Sequence, residues 1–475
     1  MMNAILATSS FIFPLVTVPY VSRVLSVQGN GHIAFAQYVV QLFSYVAVLG
    51  IPTYGIRECA KIRENKVLLA RTTKELLVIL GASTSICYIL YIVSVLTIPK
   101  LSSDKPLFLV FSFNLVLATF GIEWFYQALE QYTYITVRNL IFKVLAIALM
   151  FLFVKNENDT LKYAMILVFA SSGSNLINIF RMMHLIDLRK SNTGKINIVR
   201  HLKPVMVFFA ANFAKNFYLT ADIVLLGFFS NTFQVGLYQF VVKIKGVLVS
   251  GISSVGNVMI PRLSYFISKN MRKEFIDLIK KNLNFLCFVG LSLSAYIWIF
   301  AKNIVIIVAG PSFVDAIMPL RIIGIVVFLT CINIVTGVQI LVPLGREKIM
   351  AIFCVIGAAI STIFNVFFDR SLGALAPSLA ILLTEGTIFI AQIFFCLDIL
   401  KDSFDYRNFA KIVFSLFISC IAIYAYNYFL ILSNYFLQFV IGSLLFWFLL
   451  LSTALLIHES TSMIGLRLIK KRTRY

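Results

Sequence analysis

Apolar runs of about 20 residues recur from one end of this chain to the other, with only short polar breaks between them. As a helix, such a run is long enough to cross the roughly 30 Å hydrocarbon layer of a bilayer. In lipid the backbone must satisfy its own hydrogen bonds, and helices do so within each segment. The chain has 475 residues, of which 60% are hydrophobic and only 13% charged; a soluble domain of ordinary composition is roughly half apolar. The pattern therefore predicts an all-α polytopic membrane protein. The opening stretch, "MMNAILATSSFIFPLVTVPY", has neither a basic lead nor a small-residue cleavage site, so it reads as a first span and not as a signal peptide.

About 14 spans are predicted, near 3–22, 34–54, 75–98, 106–126, 138–154, 161–180, 204–226, 235–260, 282–308, 321–344, 350–368, 374–397, 412–430 and 436–457. The 41 Lys and Arg residues then sort by side: 29 fall on the side of the termini, seven on the opposite side and five within spans. By the positive-inside rule both termini are expected in the cytoplasm. The same bias accounts for the net charge of +21, which reflects topology and contact with anionic lipid and not a nucleic-acid footprint.

No loop is long enough to hold a domain. There is no phosphate-binding glycine loop, no H-E-x-x-H and no supported Ser/His/Asp grouping. The seven cysteines include no C-x-x-C and the four histidines are scattered, so no disulfide framework, metal site or cofactor is expected. The outer loops are short and nearly bare of carboxylates and arginines, which weighs against catalysis on a polysaccharide.

A weak internal repeat links "FAQYVVQLFS" (35–44) with "LYQFVVKIKG" (237–246), at a shift of 202 residues. It lays Gln37 on Gln239, Gln41 on Lys243 and Ser44 on Gly246. The second span thus matches the eighth, as two parallel six-helix repeats require. The expected organisation is an N-terminal lobe (1–203), a pseudo-symmetric C-terminal lobe (204–400), and two further helices with a basic tail (401–475). Both repeated helices carry a polar stripe at helical spacing: Gln37, Gln41 and Ser44 in one, Gln239, Lys243, Gly246, Ser250, Ser253 and Asn257 in the other. Tight helix packing is the plainer account of the glycines and serines. A cation in hydrocarbon costs about 2.5–3.5 kcal/mol, so for Lys243 a water-filled cavity is expected. Lys245 lies on another face and is expected to snorkel or to pair.

Other spans bear similar groups: Thr119, Glu123 and Gln127; Ser171, Asn175 and Asn178; Ser378, Glu385 and Gln392. Asn212, Lys215 and Asp222 share a face of the seventh span. Lys215 and Asp222 are two turns apart, so they either find partners on neighbouring helices or line a cavity. For Lys143 the structural alternative is a pair with Glu123.

The stretches "LVTVPYVSRVLS" (15–26), "LGIPTYGIRECAKIR" (49–63) and "GIEWFYQALEQYTYITVRN" (121–139) resemble the polysaccharide transporter family, the Wzx-type flippases of O-antigen, capsule and exopolysaccharide repeat units. These belong to the wider superfamily of multidrug and oligosaccharidyl-lipid exporters. The resemblance extends to "LTADIVLLGFFSNTFQVGLYQFVVKI" (219–244) and "VAGPSFVDAIMPLRII" (308–323). It implies a bacterial cytoplasmic-membrane transporter, not an enzyme. Its substrate would be an undecaprenyl-pyrophosphate-linked oligosaccharide, moved from the inner to the outer leaflet by two rocking lobes. An H+ or Na+ gradient is the implied drive, and a polysaccharide polymerase and a chain-length regulator are the implied partners besides membrane lipids. On this view Arg23, Gln41, Arg57, Glu123, Lys143, Lys215, Asp222, Gln239, Lys243 and Glu385 are the candidate cavity residues. Arg23 is expected at an exit-side gate. Arg57 has two accounts, the cytoplasmic mouth or a positive-inside anchor. Ser26 and Asn30 stand where relatives often have glycine, which leaves the geometry of that turn open, and relatives commonly have a basic lead-in before the first span. The alternatives are a cation-coupled multidrug antiporter of the same superfamily, which would want acidic groups in its cavity, and a membrane polysaccharide polymerase.

Overall fold

A computed structural model describes residues 2–187, 197–429 and 434–463. Among them no strand occurs, and twelve helical stretches are long and apolar enough to cross a membrane. The chain is a multi-pass helical membrane protein.

The order begins with α1 (Met2–Val24), α2 (Ser26–Val48), α3 (Ile51–Lys61) and α4 (Lys66–Thr97). Next come α5 (Pro99–Ser102), α6 (Lys105–Thr119), α7 (Glu123–Ala128), α8 (Tyr132–Phe153), α9 (Thr160–Val168) and α10 (Asn175–Leu185). The remainder is α11 (Val199–Phe229), α12 (Thr232–Ser268), α13 (Arg272–Val308), α14 (Ile317–Asn333), α15 (Glu347–Leu372), α16 (Leu375–Ser403), α17 (Tyr406–Phe429) and α18 (Tyr435–Leu456). Each predicted span coincides with one of these helices or with a closely spaced pair. Two compact units result: Met1–Gln239 with Asn365–Gly373, and Phe240–Phe364 with Ala374–Tyr475.

Several spans are broken where the sequence predicts one continuous helix. The fourth is α6 and α7 with an irregular link at 120–122, so Thr119 and Glu123 do not share one regular helix face. The sixth is α9 and α10 joined through a π-helical turn, Phe169–Gly173. The tenth ends in a π-helical stretch, Ile334–Leu341. Polar side chains at the break in the sixth span reach across to α6: Asn175 Nδ2 donates to the Leu117 carbonyl (3.1 Å) and Ser171 Oγ to Asn114 Oδ1 (3.0 Å). The polar face predicted for the sixth span is thus occupied by packing.

The junction of α1 and α2 answers the question posed by Ser26 and Asn30. Ser26 takes φ +60°, the left-handed conformation that glycine adopts freely. Asn30 Nδ2 donates to the carbonyls of Ser26 (2.8 Å) and Val21 (3.3 Å), holding the corner closed. Beyond it, α2 meets the first turn of α12 backbone to backbone. A Cβ on Gly31 would lie 1.7 Å from the Thr232 carbonyl oxygen, and one on Gly236 would lie 2.0 Å from that of Val27. Only glycine permits this approach.

Candidate functional site

The stripe on α12 changes character along its length. Gln239 is buried, adjoins the Tyr38 hydroxyl and leaves its Oε1 without a partner. Lys243 is half-buried, and among the described residues no carboxylate or carbonyl lies within bonding distance of its ammonium. Lys245, by contrast, is engaged by a neighbour. A Cβ built on Gly246 or Gly251 would meet nothing within 4 Å, whereas one on Gly256 would strike Ile334 at 2.6 Å. The stripe is therefore open around Lys243. The side chains of Asn257 and Lys215 lie outside the described residues. On α2, Gln41 Nε2 donates to the Tyr45 hydroxyl (2.8 Å) and Ser44 Oγ to the Val40 carbonyl (2.9 Å), and both residues are half-buried.

The predicted carboxylates fall into different settings. Glu123 accepts from Arg138 and, at 3.2 Å, from Asn139 Nδ2. Arg138, at the very edge of the predicted span 138–154, lies in the second turn of α8 and is only 5% exposed. Its guanidinium also donates to Asn178 Oδ1 and Asn139 Oδ1. The ion-pair partner of Glu123 is thus Arg138, while Lys143, half-buried on α8, feels the same carboxylate more weakly. Glu385 accepts from Asn333 Nδ2 at 2.6 Å. Its neighbours in the predicted stripe are structural: Gln392 accepts from the buried Thr336 hydroxyl (2.5 Å) and Ser378 donates to the Ala374 carbonyl (3.0 Å). Arg23 and Arg57 are exposed, and Arg57 pairs with Glu58 while lying over the Phe208 ring.

Asp222 is buried, with Asn365 Nδ2 donating to Oδ1 (2.8 Å) and the Tyr238 hydroxyl to Oδ2 (3.4 Å). Close by is a carboxylate that sequence reasoning missed. Asp369, one turn beyond Asn365 on α15, is 0% exposed, and neither of its oxygens has a hydrogen-bond partner among the described residues. A carboxylate cannot remain a bare anion in such a place; it must take a proton or a cation. Asp222 with Asn365 and Tyr238, and Asp369 near it, offer carboxylate, amide and phenol oxygens, chemistry suited to H+ or a hard monovalent cation. The signal lay in "NVFFDR" (365–370), where Asn and Asp stand at i and i+4 inside an apolar run. Among the described residues no group of three or more His, Cys, Asp or Glu side chains could hold a metal ion, and all seven cysteines are free thiols.

A second missed carboxylate is Glu75 on α4, also 0% exposed. It is fully engaged. It accepts from Arg71 Nε (3.3 Å), the Asn197 backbone N–H (2.8 Å), Arg200 Nε (3.1 Å) and His201 Nε2 (2.9 Å), and His201 Nδ1 lies 2.7 Å from the Tyr54 hydroxyl.

A family model described as "Polysaccharide biosynthesis protein" matches residues 1–267. Two relatives, provisionally named O-antigen transporters, are similar over most of the chain. The one from Escherichia coli (strain K12) is 25% identical over 73% of this chain and 83% of its own length. The one from Shigella dysenteriae is 22% identical over 80% of this chain and 94% of its own. Among solved structures, the lipid II flippase MurJ in an inward closed conformation superposes with a TM-score of 0.63 at 14% identity, covering 96% of this chain and 99% of that one. An inward-facing MATE-family multidrug resistance transporter of the MOP superfamily gives 0.62 at 12% identity, over 82% and 98%. These two likenesses establish a shared fold. With a matched segment that covers more than half of its length, the chain belongs to the polysaccharide biosynthesis protein family.

Proposed function

We infer that the protein is a flippase that carries lipid-linked oligosaccharide repeat units from the inner to the outer leaflet for surface polysaccharide assembly. The relatives are named as O-antigen transporters, which supports a glycan cargo. The observation that carries the finer reading is Lys243: a half-buried ammonium on a membrane helix, with no acidic partner among the described residues and open space beside Gly246. A pyrophosphate-linked lipid brings about two negative charges, whose transfer through hydrocarbon unaided is prohibitive. An unpaired cation on its path lowers that barrier without forming a tight trap. Gln41 and Gln239 supply amides suited to sugar hydroxyls.

In this reading the polar path opens to one face of the membrane at a time, and both termini face the cytoplasm. The buried Asp222–Asp369 pair is the coupling site. Binding of H+ or Na+ neutralises Asp369 and biases the cycle, as a ligand must if it is to shift a conformational equilibrium. A multidrug antiporter would need acidic groups where Lys243 stands, which disfavours that alternative.

The test is a strain lacking the protein, complemented with Lys243→Glu. Surface polysaccharide should fall while lipid-linked repeat units accumulate in the inner leaflet, with the variant inserted at normal level. Normal surface polysaccharide would sink the anion-path reading.

A further inference from the structure

Away from the α12 stripe and the Asp222–Asp369 pair, the flank of α8 and α10 holds a cleft of about 570 Å³. Its walls include Thr133, Val137 and Ile141 on α8 and Ile177 on α10; its polar lining is Tyr134, Arg138 and Arg181. We propose that this cleft is a binding site for one anionic membrane phospholipid, whose phosphate lies at Arg181 and whose acyl chains run along α8.

Three observations point there. First, the open wall is a lipid-facing surface. Thr133, Val137, Ile141, Val144, Ala148 and Leu152 are all exposed and follow one stripe along the whole of α8. Exposed apolar residues along a membrane helix meet hydrocarbon. Second, the guanidiniums sit at the right depth. Arg138 is about 9 Å from the start of α8 and Arg181 about 6 Å from the end of α10, by the 1.5 Å rise per residue. From such positions a long arginine side chain reaches the headgroup level. Third, the charges leave a remainder. Arg138 is balanced by Glu123, whereas Arg181 forms no ion pair among the described residues. Arg181 is nonetheless held in place: its guanidinium lies 3.8 Å from the Tyr134 ring centroid and donates to Gln131 Oε1 at 3.1 Å. A preorganised guanidinium keeps free donors for a phosphate oxygen and loses little entropy on binding it. One uncompensated positive charge matches one phosphodiester.

The polar inventory also selects among lipids. A glycan pyrophosphate needs many hydrogen-bonding groups around its sugars, and here the remaining walls are apolar. Basic pockets between membrane helices near the cytoplasmic face are suited to anionic headgroups.

The test is native mass spectrometry of the full-length protein released from bilayers of equimolar phosphatidylglycerol and phosphatidylethanolamine. Phosphatidylglycerol should be retained preferentially. Its retention should fall about fivefold in Arg181→Gln, the loss expected for one surface cation. Ile141→Trp should have a similar effect by filling the cleft from an exposed position, and it carries the test if the first variant folds poorly. Equal retention of the two lipids by the wild type, or undiminished phosphatidylglycerol in both variants, would overturn the proposal. So would undecaprenyl phosphate displacing phosphatidylglycerol at equimolar dose in an Arg181-dependent way, since the cleft would then belong to the carrier lipid.

Discussion

Glu75 and Asp369 are both carboxylates with no solvent exposure, on membrane helices of the same compact unit, and they are treated in opposite ways. Glu75 collects donors from Arg71, Asn197, Arg200 and His201, so its charge is matched and its lone pairs are filled. Asp369 collects none, and its near neighbour is another carboxylate. A buried charge that is fully paired holds elements together; one left unpaired is a cost that persists only where something outside the chain satisfies it. Glu75 ties α4 to the start of α11, some 125 residues away. Asp369 has no such tie among the described residues.

The sharpest way to break this contrast is to remove each carboxylate. Glu75→Ala leaves Arg200 and His201 facing an empty place and should lower stability by about 3–5 kcal/mol, the range for breaking a buried pair. Thermal unfolding in detergent would show it, together with reduced membrane yield. An unchanged unfolding temperature would mean that the donors around Glu75 are ornamental. Asp369→Asn should do the reverse. It removes an unpaired buried acid, so the protein should unfold at the same temperature or higher. Transport should nevertheless fall about tenfold or more, as when a translocation step loses at least ~1.4 kcal/mol. Surface polysaccharide and the Na+ and pH dependence of export are the readouts. Wild-type export from Asp369→Asn would remove the coupling role.

The cations on α12 form the next contrast. Lys243→Ala should reduce export several-fold, a loss of roughly 1 kcal/mol, and Lys243→Glu should reduce it further. Lys245→Ala should be milder, because Lys245 is engaged by a neighbour and lies on another face of the helix. Single cysteines at Gln41 and Ser250 should react with water-borne thiol reagents, while the buried Val39 and Val241 should not. Equal reactivity at all four would mean that neither stripe is wet.

The helical architecture was legible in the sequence because length and polarity are local: each apolar run long enough to span became a helix or a closely spaced pair of helices. The distinction between Lys243 and Lys245 was legible for the same reason, since 3.6-residue periodicity places them on different faces. Pairing is not local. Nothing in the pattern connects Glu75 to Arg200 and His201, and Glu75 stood at the edge of a predicted span where a charge provokes no question. Asp369 was masked by Arg370, which drew both residues into a supposed loop. The pairing of Arg138 with Glu123 was not legible, because Glu123 sits across a helix break that periodicity cannot show. For Asp222 one of the two expected settings, partners on neighbouring helices, is met by Asn365 on α15 and Tyr238 on α12, neither of which its spacing on α11 could name.

The mildest test concerns the corner between α1 and α2, where stability and local backbone chemistry can be separated. Ser26 holds φ +60°, which costs a non-glycine residue on the order of 1–2 kcal/mol. Its hydroxyl returns part of that by accepting from the Gly29 N–H at 3.3 Å, a long bond of the N-cap kind that is worth only a few tenths relative to glycine. Ser26→Gly should therefore stabilise the protein by up to about 1 kcal/mol, visible as a small rise in unfolding temperature. Asn30→Ala should act the other way by about 1 kcal/mol, because the carbonyls of Val21 and Ser26 lose the amide that closes the corner. If Ser26→Gly instead destabilised the protein, the hydroxyl cap would outweigh the backbone strain. The corner would then be held by its side chains and not merely tolerated by them, as Glu75 is held and Asp369 is not.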